Sequence, residues 1–254
     1  PTIHLSRYDS SSEKFESLSC MRGLHTKGVV QLAFSANGKL LFSAGVDYTL
    51  ATYDTDTTSS KFGRLVGSAS MKGVCLHLCP IGASNDFISL GEKHVVFWRD
   101  TDNKGSYKST NAKLGEHRNK TFLCATTTSC FGGNSLAAGT SAGDLVLFNG
   151  KEATKSQLKV HEKGLNAIWS SQDSNTLVTG GKDGNVIIWK VEGNEISKFS
   201  VFEASKYPIR SVCLAMSGNV INKALVGTQT CDILEFQRSD GFKTEEKTRK
   251  LSKI

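Results

Sequence analysis

Histidine, hydroxyl and carboxylate side chains recur together at two places in this sequence of 254 residues. The sets are His161, Thr179 and Asp183, and His25, Ser43 and Asp47. A hydroxyl beside a histidine that is oriented by a carboxylate is the arrangement that activates a nucleophile in hydrolases. The same residue types also form buried hydrogen-bond networks that only stabilise a fold. The elements that carry these residues decide between the two interpretations.

The first set lies in a stretch, His161 to Val191, that reads as a complete antiparallel meander. Its three short apolar runs are Leu165–Trp169, Thr176–Thr179 and Val186–Trp189. Clusters of Gly, Asp, Asn and Ser separate these runs, which predicts three strands joined by tight turns.

Within this stretch, four residues have the types and spacing of the hydrogen-bonded tetrad of WD40 repeats: His161, Thr179, Asp183 and Trp189. The stretch therefore resembles a WD40 blade. A second tetrad is nearly complete, with Tyr53 in the place of Trp: His25, Ser43, Asp47 and Tyr53. A third unit keeps His117 but has Ala138 and Ala142 at the Thr and Asp positions. Since blade architecture accounts for these residues, we predict a structural role for them and no catalytic residue.

The strand-terminal aromatic of the meander recurs along the whole chain, at Tyr8, Tyr53, Trp98, Phe148, Trp189 and Phe236. The spacing is typical of WD40 blades of about 40–45 residues with loop insertions. We predict an all-β WD40 β-propeller with about five complete four-stranded blades. Residues 1–24 would be a partial preceding blade, 25–241 the five repeats, and 242–254 an outer strand or tail. Because both ends fall within blades, the chain reads as a segment of a larger propeller or tandem array.

Composition argues against several other classes of site. The seven cysteines include no CxxC pair and fit free thiols in a reducing cytosol. Alternation along a strand would place Cys75, His77 and Cys79 on one face, but nothing nearby completes a tetrahedral metal site. The sequence has no phosphate-binding glycine loop and no HExxH motif. We predict no metal and no cofactor.

The net charge of +7 favours an acidic partner. No apolar run reaches the roughly 18–20 residues that span a bilayer, so no membrane association is predicted. Aromatic residues make up only 8 % of the chain and fall at core positions. This distribution argues against a stacking surface for single-stranded nucleic acid, and no specific nucleic-acid partner is predicted.

A lysine recurs in each loop that enters a first strand: Lys27, Lys72, Lys120, Lys163 and Lys206. In a propeller these loops share one rim around the central channel, and Arg118 and Lys182 are expected near the same face. The clustered positive charge would attract an acidic protein surface. We therefore predict a partner-binding rim made of these seven residues.

Beyond the WD40 pattern, several stretches resemble the N-terminal propeller of the echinoderm microtubule-associated protein-like family. They are residues 3–9, 28–45, 91–100, 160–169, 177–189 and 207–236, among which Pro208-Ile209-Arg210-Ser211-Val212 is the most distinctive. The resemblance implies a middle section of the first of two tandem propellers in a protein that binds tubulin and microtubules. It also implies a cytoplasmic, cytoskeletal location. The function that we predict is a non-catalytic microtubule-binding scaffold; the alternative is a WD40 adaptor in a ciliary or signalling complex.

Overall fold

The computed structural model describes residues 1–82, 84–102, 105–128, 135–171, 175–192 and 195–242. The chain forms two compact units, Pro1–Asn111 and Ala112–Ile254. Each unit is a succession of antiparallel sheets in which every strand pairs with its neighbour in sequence. No helix in the described ranges is long and apolar enough to cross a membrane.

The first unit holds one two-stranded sheet and two four-stranded sheets. The two-stranded sheet consists of β1 (Ile3–Asp9) and β2 (Lys14–Met21). The next sheet consists of β3 (Val29–Phe34), β4 (Leu40–Gly45), β5 (Thr49–Asp54) and β6 (Leu65–Ser70). The last consists of β7 (Cys75–Pro80), β8 (Phe87–Gly91), β9 (His94–Asp100) and β10 (Tyr107–Asn111).

The second unit begins with a short 3₁₀ helix, Gly115–His117, followed by two four-stranded sheets and a three-stranded sheet. The first sheet consists of β11 (Phe122–Thr128), β12 (Ser135–Thr140), β13 (Leu145–Asn149) and β14 (Glu152–Gln157). The second consists of β15 (Leu165–Ser170), β16 (Thr176–Gly181), β17 (Asn185–Glu192) and β18 (Glu195–Glu203). The third consists of β19 (Ile209–Ser217), β20 (Val220–Thr228) and β21 (Ile233–Gln237), and a 3₁₀ turn, Arg238–Asp240, follows it.

These sheets are the predicted blades, and the all-β fold is confirmed. Four sheets have all four strands, and β1 and β2 form the predicted partial blade. The fifth repeat has three strands in the described part of the chain. Its predicted outer strand, residues 242–254, lies outside the described residues except for Phe242.

The second strand of each four-stranded sheet is almost completely buried, and small residues let the sheets approach each other. A Cβ atom added at Gly139 would overlap the Leu165 side chain of the next sheet, and one added at Gly180 would overlap Ile209. Burial on both faces also explains why these strands read as apolar runs rather than as an alternation. The outer strands β10 and β14 are largely exposed and polar.

Hydrophobic clusters fill the space between neighbouring sheets of a unit. In the first unit, Phe42 stacks on Phe87 with ring centroids 4.4 Å apart, and the Phe87 ring lies 5.9 Å from that of Trp98. In the second unit, Leu145 and Leu147 pack with Leu177 and Trp189. Each strand-terminal aromatic of a four-stranded sheet is buried, so the repeat of aromatics is a repeat of core positions.

The first strand of every blade carries a register shift after its first residue. Cys75 pairs with Gly91 whereas His77 pairs with Leu90, and Leu165 pairs with Gly181 whereas Ala167 pairs with Gly180. Such a β-bulge inserts one unpaired residue into the strand. Cys75 and His77 therefore lie on opposite faces, and the expectation that Cys75, His77 and Cys79 share one face is wrong.

Candidate protein-interaction site

The tetrad of the β15–β18 sheet forms a continuous chain of hydrogen bonds. Trp189 Nε1 lies 3.0 Å from Thr179 Oγ1, which lies 2.9 Å from His161 Nε2. His161 Nδ1 lies 3.1 Å from Asp183 Oδ1. Because an indole N–H can only donate, Thr179 accepts from Trp189 and donates its own proton to His161 Nε2. The imidazole must then carry its proton on Nδ1 and donate it to Asp183.

The central members of this chain of hydrogen bonds are buried. His161 and Thr179 have no solvent exposure, and both ring nitrogens of His161 are occupied. Burial lowers the pKa of His161 against the opposing effect of Asp183. Burial alone would raise the pKa of Asp183, but the pairing with His161 and the backbone N–H groups of Asn185 and Glu162 outweigh it, so the pKa is lowered. The carboxylate fastens the loop before β15 to the turn after β16.

The β3–β6 sheet holds a similar network with one addition. His25 Nε2 lies 2.7 Å from Ser43 Oγ, and His25 Nδ1 lies 2.8 Å from the hydroxyl of Thr49. Asp47 accepts from Thr49 and from the backbone N–H of Thr26, at 2.6 Å each. The aromatic of this set, Tyr53, packs into the cluster formed with β1 and β2. Sequence reasoning missed Thr49, although its hydroxyl directly follows the predicted Asp47 turn.

The two remaining four-stranded sheets keep only parts of the tetrad. In β7–β10, Trp98 Nε1–H donates to Ser89 Oγ over 2.8 Å. In β11–β14 the alanines expected at the Thr and Asp positions are present, but a different polar network replaces the tetrad. Its centre is Asp144, two residues beyond Ala142, which sequence reasoning also missed. Asp144 bonds to the Thr140 hydroxyl over 3.1 Å and to the backbone N–H of Lys159 over 2.9 Å.

The third partner of Asp144 is Lys120, one of the predicted rim lysines. The side chain of Asp144 is 2 % exposed and that of Lys120 is 28 % exposed, so the pair is largely buried. Burial alone would raise the pKa of Asp144, but Lys120 and the Lys159 N–H group outweigh it and lower the pKa. The charge of Lys120 is therefore neutralised by a carboxylate of its own sheet. The signal that could have revealed Asp144 is the spacing Thr140-x-x-x-Asp144, which recurs at Thr228-x-x-x-Asp232.

His117 lies beside this network but is not part of it. Its Nε2 atom is 3.4 Å from Glu116 Oε1, and its buried Nδ1 atom has no hydrogen-bond partner among the residues that the structure describes. Burial, reinforced by the charge of Lys120, lowers the pKa of His117. Like His161, this side chain is neutral in the folded protein near neutral pH.

We expect acid to destabilise the fold through these two histidines. Their folded-state pKa values lie below the ordinary 6.5, so below about pH 6.5 the unfolded chain binds protons that the folded chain does not. The free energy of unfolding should then fall with decreasing pH, by up to about 1.4 kcal/mol per pH unit for each histidine. Urea unfolding between about pH 5 and pH 8 measures this slope. His117→Phe should reduce the slope, and an unchanged slope in that variant would exclude a contribution from His117.

A recurring backbone hydrogen bond places the lysine-bearing loops next to the turns between second and third strands. In sheets of both units, the residue that follows the second strand donates its backbone N–H to the carbonyl of the residue just before the first strand. The pairs are Val46 to Gly28, Ser141 to Thr121, Lys182 to Gly164, and Gln229 to Pro208, at 2.8–2.9 Å. Lys163 and Lys182 are therefore neighbours at the same end of their sheet.

Six of the seven predicted rim residues are exposed and form no ion pair among the described residues: Lys27, Lys72, Arg118, Lys163, Lys182 and Lys206. We call these six the loop cations. Lys27 and Lys72 belong to the first unit, and the other four belong to the second. Exposed Tyr207 follows Lys206 and adds an aromatic ring to that loop.

The described residues include no group of three or more His, Cys, Asp or Glu side chains that could hold a metal ion. Six cysteines are described, and all six are free thiols. Burial raises the pKa of Cys75 to about 12, and it also raises the pKa of Cys124. These two side chains belong to the hydrophobic core and carry no thiolate near neutral pH.

The sheets have the fold of a β-propeller, and two segments of the chain match the WD40 repeat. The WD40 family, described as WD domain, G-beta repeat, matches residues 18–54 and 152–190. The first range includes the nearly complete tetrad and the second includes the complete one. The Cps50 (Swd1) β-propeller domain of Myceliophteria thermophila superposes with a TM-score of 0.77, covering 98 % of this chain and 81 % of that one. At 14 % identity, this likeness concerns the fold alone.

Comparison with curated proteins finds relatives that are similar in sequence as well as in fold class. The 77 kDa echinoderm microtubule-associated protein of Strongylocentrotus purpuratus is 27 % identical over 199 residues, covering 75 % of this chain and 28 % of that protein. Human echinoderm microtubule-associated protein-like 2 is 27 % identical over 160 residues, covering 61 % of this chain and 23 % of that protein. The chain spans about a quarter of the length of these relatives.

Proposed function

We propose that this chain is a non-catalytic protein-interaction scaffold whose partner is tubulin, bound on the microtubule surface. The observation that carries the proposal is the set of loop cations. Six exposed positive charges, none of them paired within the described chain, lie in loops at the strand ends of the two units. Unpaired exposed cations attract an acidic protein surface and accelerate its association. The relatives are microtubule-associated proteins by name, and this supplies the choice of partner.

The buried tetrads support the non-catalytic half of the proposal. The histidine and carboxylate groups that could serve a hydrolase are used up in fastening loops to strands. The loops they fasten are the loops that carry Lys27 and Lys163. In this arrangement the tetrads hold the loop cations in place, and the loop cations contact the partner.

Charge reversal of the loop cations tests the proposal. We expect Lys163→Glu, Lys182→Glu and Lys206→Glu together to weaken co-sedimentation with stabilised microtubules by about tenfold or more, because three attractions become repulsions. Lys120 is left unchanged, since its reversal would place two carboxylates side by side in a buried pair. The matched control is Lys14→Glu, Lys108→Glu and Lys151→Glu, which makes the same change in net charge at exposed positions away from these loops.

An equal loss of microtubule binding in the two triple variants would show that only the net charge of the chain matters. That result would reject the loop cations as the binding site. Removal of the acidic C-terminal tails of tubulin should weaken binding of the unmodified chain to a similar degree. Raising the ionic strength should do the same, because exposed charge pairs are screened. A chain that recovers no tubulin at low salt would favour the alternative, an adaptor for another protein.

A further inference from the structure

A phenylalanine on the outer strand β18 has two cations over its exposed ring. Phe199 is 43 % exposed. Lys190 Nζ lies 5.2 Å from the centroid of this ring, and Arg238 Cζ lies 5.7 Å from it. Such cation–π contacts hold a charged group in place over an aromatic side chain. We call Lys190, Phe199 and Arg238 the cation clamp.

The local structure of two neighbouring sheets brings the clamp together. The register of β18 against β17 shifts at Phe199, which is left as the extra residue of a β-bulge. Lys190 lies two positions beyond Ile188 on β17, so both side chains point towards the next sheet, on which Ile188 packs. Arg238 begins the 3₁₀ turn that follows the last strand of that sheet. The clamp therefore joins two sheets of one unit at their outer side.

Neither cation of the clamp has an anionic partner in the part of the chain that the structure describes. Lys190 and Arg238 form no ion pair there, and the Arg238 guanidinium donates no hydrogen bond. Glu192 and Glu195 face each other at the end of the β17–β18 hairpin, but neither pairs with Lys190. Two like charges held at one ring repel each other unless an anion lies between them. The clamp therefore has the properties of an anion-binding site.

The clamp lies at the end of the sheets opposite to the loop cations. β17 begins at Asn185, directly after the turn that carries Lys182, and ends at Glu192. Lys190 is therefore about 17 Å along the strand from its start. Arg238 likewise follows the far end of β21. The clamp is a second site, separate from the one proposed for tubulin.

We propose that the cation clamp binds a phosphorylated serine or threonine of a partner protein, presented in an extended segment. Two neighbouring cations require two negative charges, which a phosphate monoester supplies near neutral pH and a single carboxylate does not. The planar guanidinium of Arg238 can bind two phosphate oxygens at once. β18 pairs only with β17 among the described strands, so its outer edge can form backbone hydrogen bonds with an extended peptide.

The geometry of the clamp argues against single-stranded nucleic acid as the ligand. Proteins that bind single strands stack the bases on open aromatic rings. Both cations already lie over the Phe199 ring, so a base could stack there only by displacing one of the groups that attract its phosphate.

Titration of the full chain with three labelled peptides tests the proposal by fluorescence polarisation. The first is an eight-residue Thr/Val peptide with one central phosphoserine, and the other two carry glutamate or serine at that position. We expect the phosphopeptide to bind at least about tenfold more tightly than the glutamate peptide, and the serine peptide to bind more weakly still. Equal affinities for the three peptides would overturn the proposal.

Substitutions in the clamp test which side chains bind the phosphate. Lys190→Gln and Arg238→Gln should each weaken phosphopeptide binding by about tenfold. Phe199→Leu should weaken it by about threefold, because it removes the ring that holds both cations. Lys198→Gln is the matched control, since Lys198 lies on the same strand, 5.8 Å from the ring of Trp189. An equal loss in this control would show that general positive charge binds the peptide and would overturn the clamp.

Two further measurements separate this site from other ligands and from the loop cations. Binding of oligodeoxythymidine, or of vesicles that contain phosphatidylinositol 4-phosphate, without binding of the phosphopeptide would overturn the choice of a phosphorylated protein. The triple variant Lys163→Glu, Lys182→Glu and Lys206→Glu should keep its phosphopeptide affinity at physiological salt, where the screening length of about 8 Å is shorter than the separation of the two sites. Loss of phosphopeptide binding in that variant would overturn the existence of a separate site.

Discussion

Thr179→Val should lower the free energy of unfolding by about 2–6 kcal/mol although it changes the side-chain volume very little. The hydroxyl of Thr179 accepts the Trp189 N–H and donates to His161 Nε2. Valine leaves both groups buried without a partner, and each unsatisfied group costs about 1–3 kcal/mol. Neither group can reach water, because Trp189 and His161 are almost completely buried.

Thr179→Ser is the matched control, because it keeps the hydroxyl and removes only a methyl group. Its expected cost is about 1 kcal/mol. Urea unfolding of the two variants and the unmodified chain measures both values. If valine and serine cost the same, packing of the methyl group stabilises this position and the hydrogen-bond chain contributes nothing measurable.

Gly143→Ala should destabilise the chain by about 2–4 kcal/mol, because the site excludes a Cβ atom in two ways. Gly143 has a φ of +87°, in the left-handed region that L-residues avoid. An added Cβ would also overlap the backbone carbonyl of His161, which cannot move without disturbing the tetrad of the next sheet. The Gly143 carbonyl in turn accepts the His161 N–H over 3.2 Å.

Gly150→Ala separates the two contributions. Gly150 has a φ of +56°, but no heavy atom lies within 4 Å of its added Cβ. Only the conformational cost of about 1 kcal/mol is expected there. Thermal unfolding of both variants gives the comparison. Equal shifts in Tm would mean that the clash with His161 relaxes at no cost and that the two sheets are not tightly coupled at this turn.

The sequence predicted the blades and the tetrad of the β15–β18 sheet because both are recorded in short-range patterns. Trp189 and Thr179 are ten residues apart on adjacent strands, and a single hairpin register joins them. The three apolar runs predicted as strands lie within β15, β16 and β17. Turn residues and apolar runs are sufficient to predict such strands from the sequence.

The features that escaped prediction depend on partners distant in sequence or on local irregularity. Lys120 and Asp144 are 24 residues apart, and no local pattern distinguishes a lysine that pairs with a buried carboxylate from one that faces solvent. The positions of Cys75 and His77 were misjudged because strict alternation does not hold across a β-bulge. The contact between Arg238 and Phe199 joins two neighbouring sheets, which no local pattern in either segment encodes.

The register shift after the first residue of each first strand has a consequence for how the repeat tolerates length changes. Leu165 and Ala167 are two positions apart, yet Leu165 belongs to the hydrophobic cluster on one side of its sheet and Ala167 to the cluster on the other. The extra residue between them shifts the alternation of the strand, so that two side chains two positions apart face opposite sides. Deleting Asn166 would straighten the ladder and exchange the two faces for every residue on one side of the deletion. Among related sequences, insertions and deletions should therefore be common in the connecting loops of this repeat and rare at the start of its first strand.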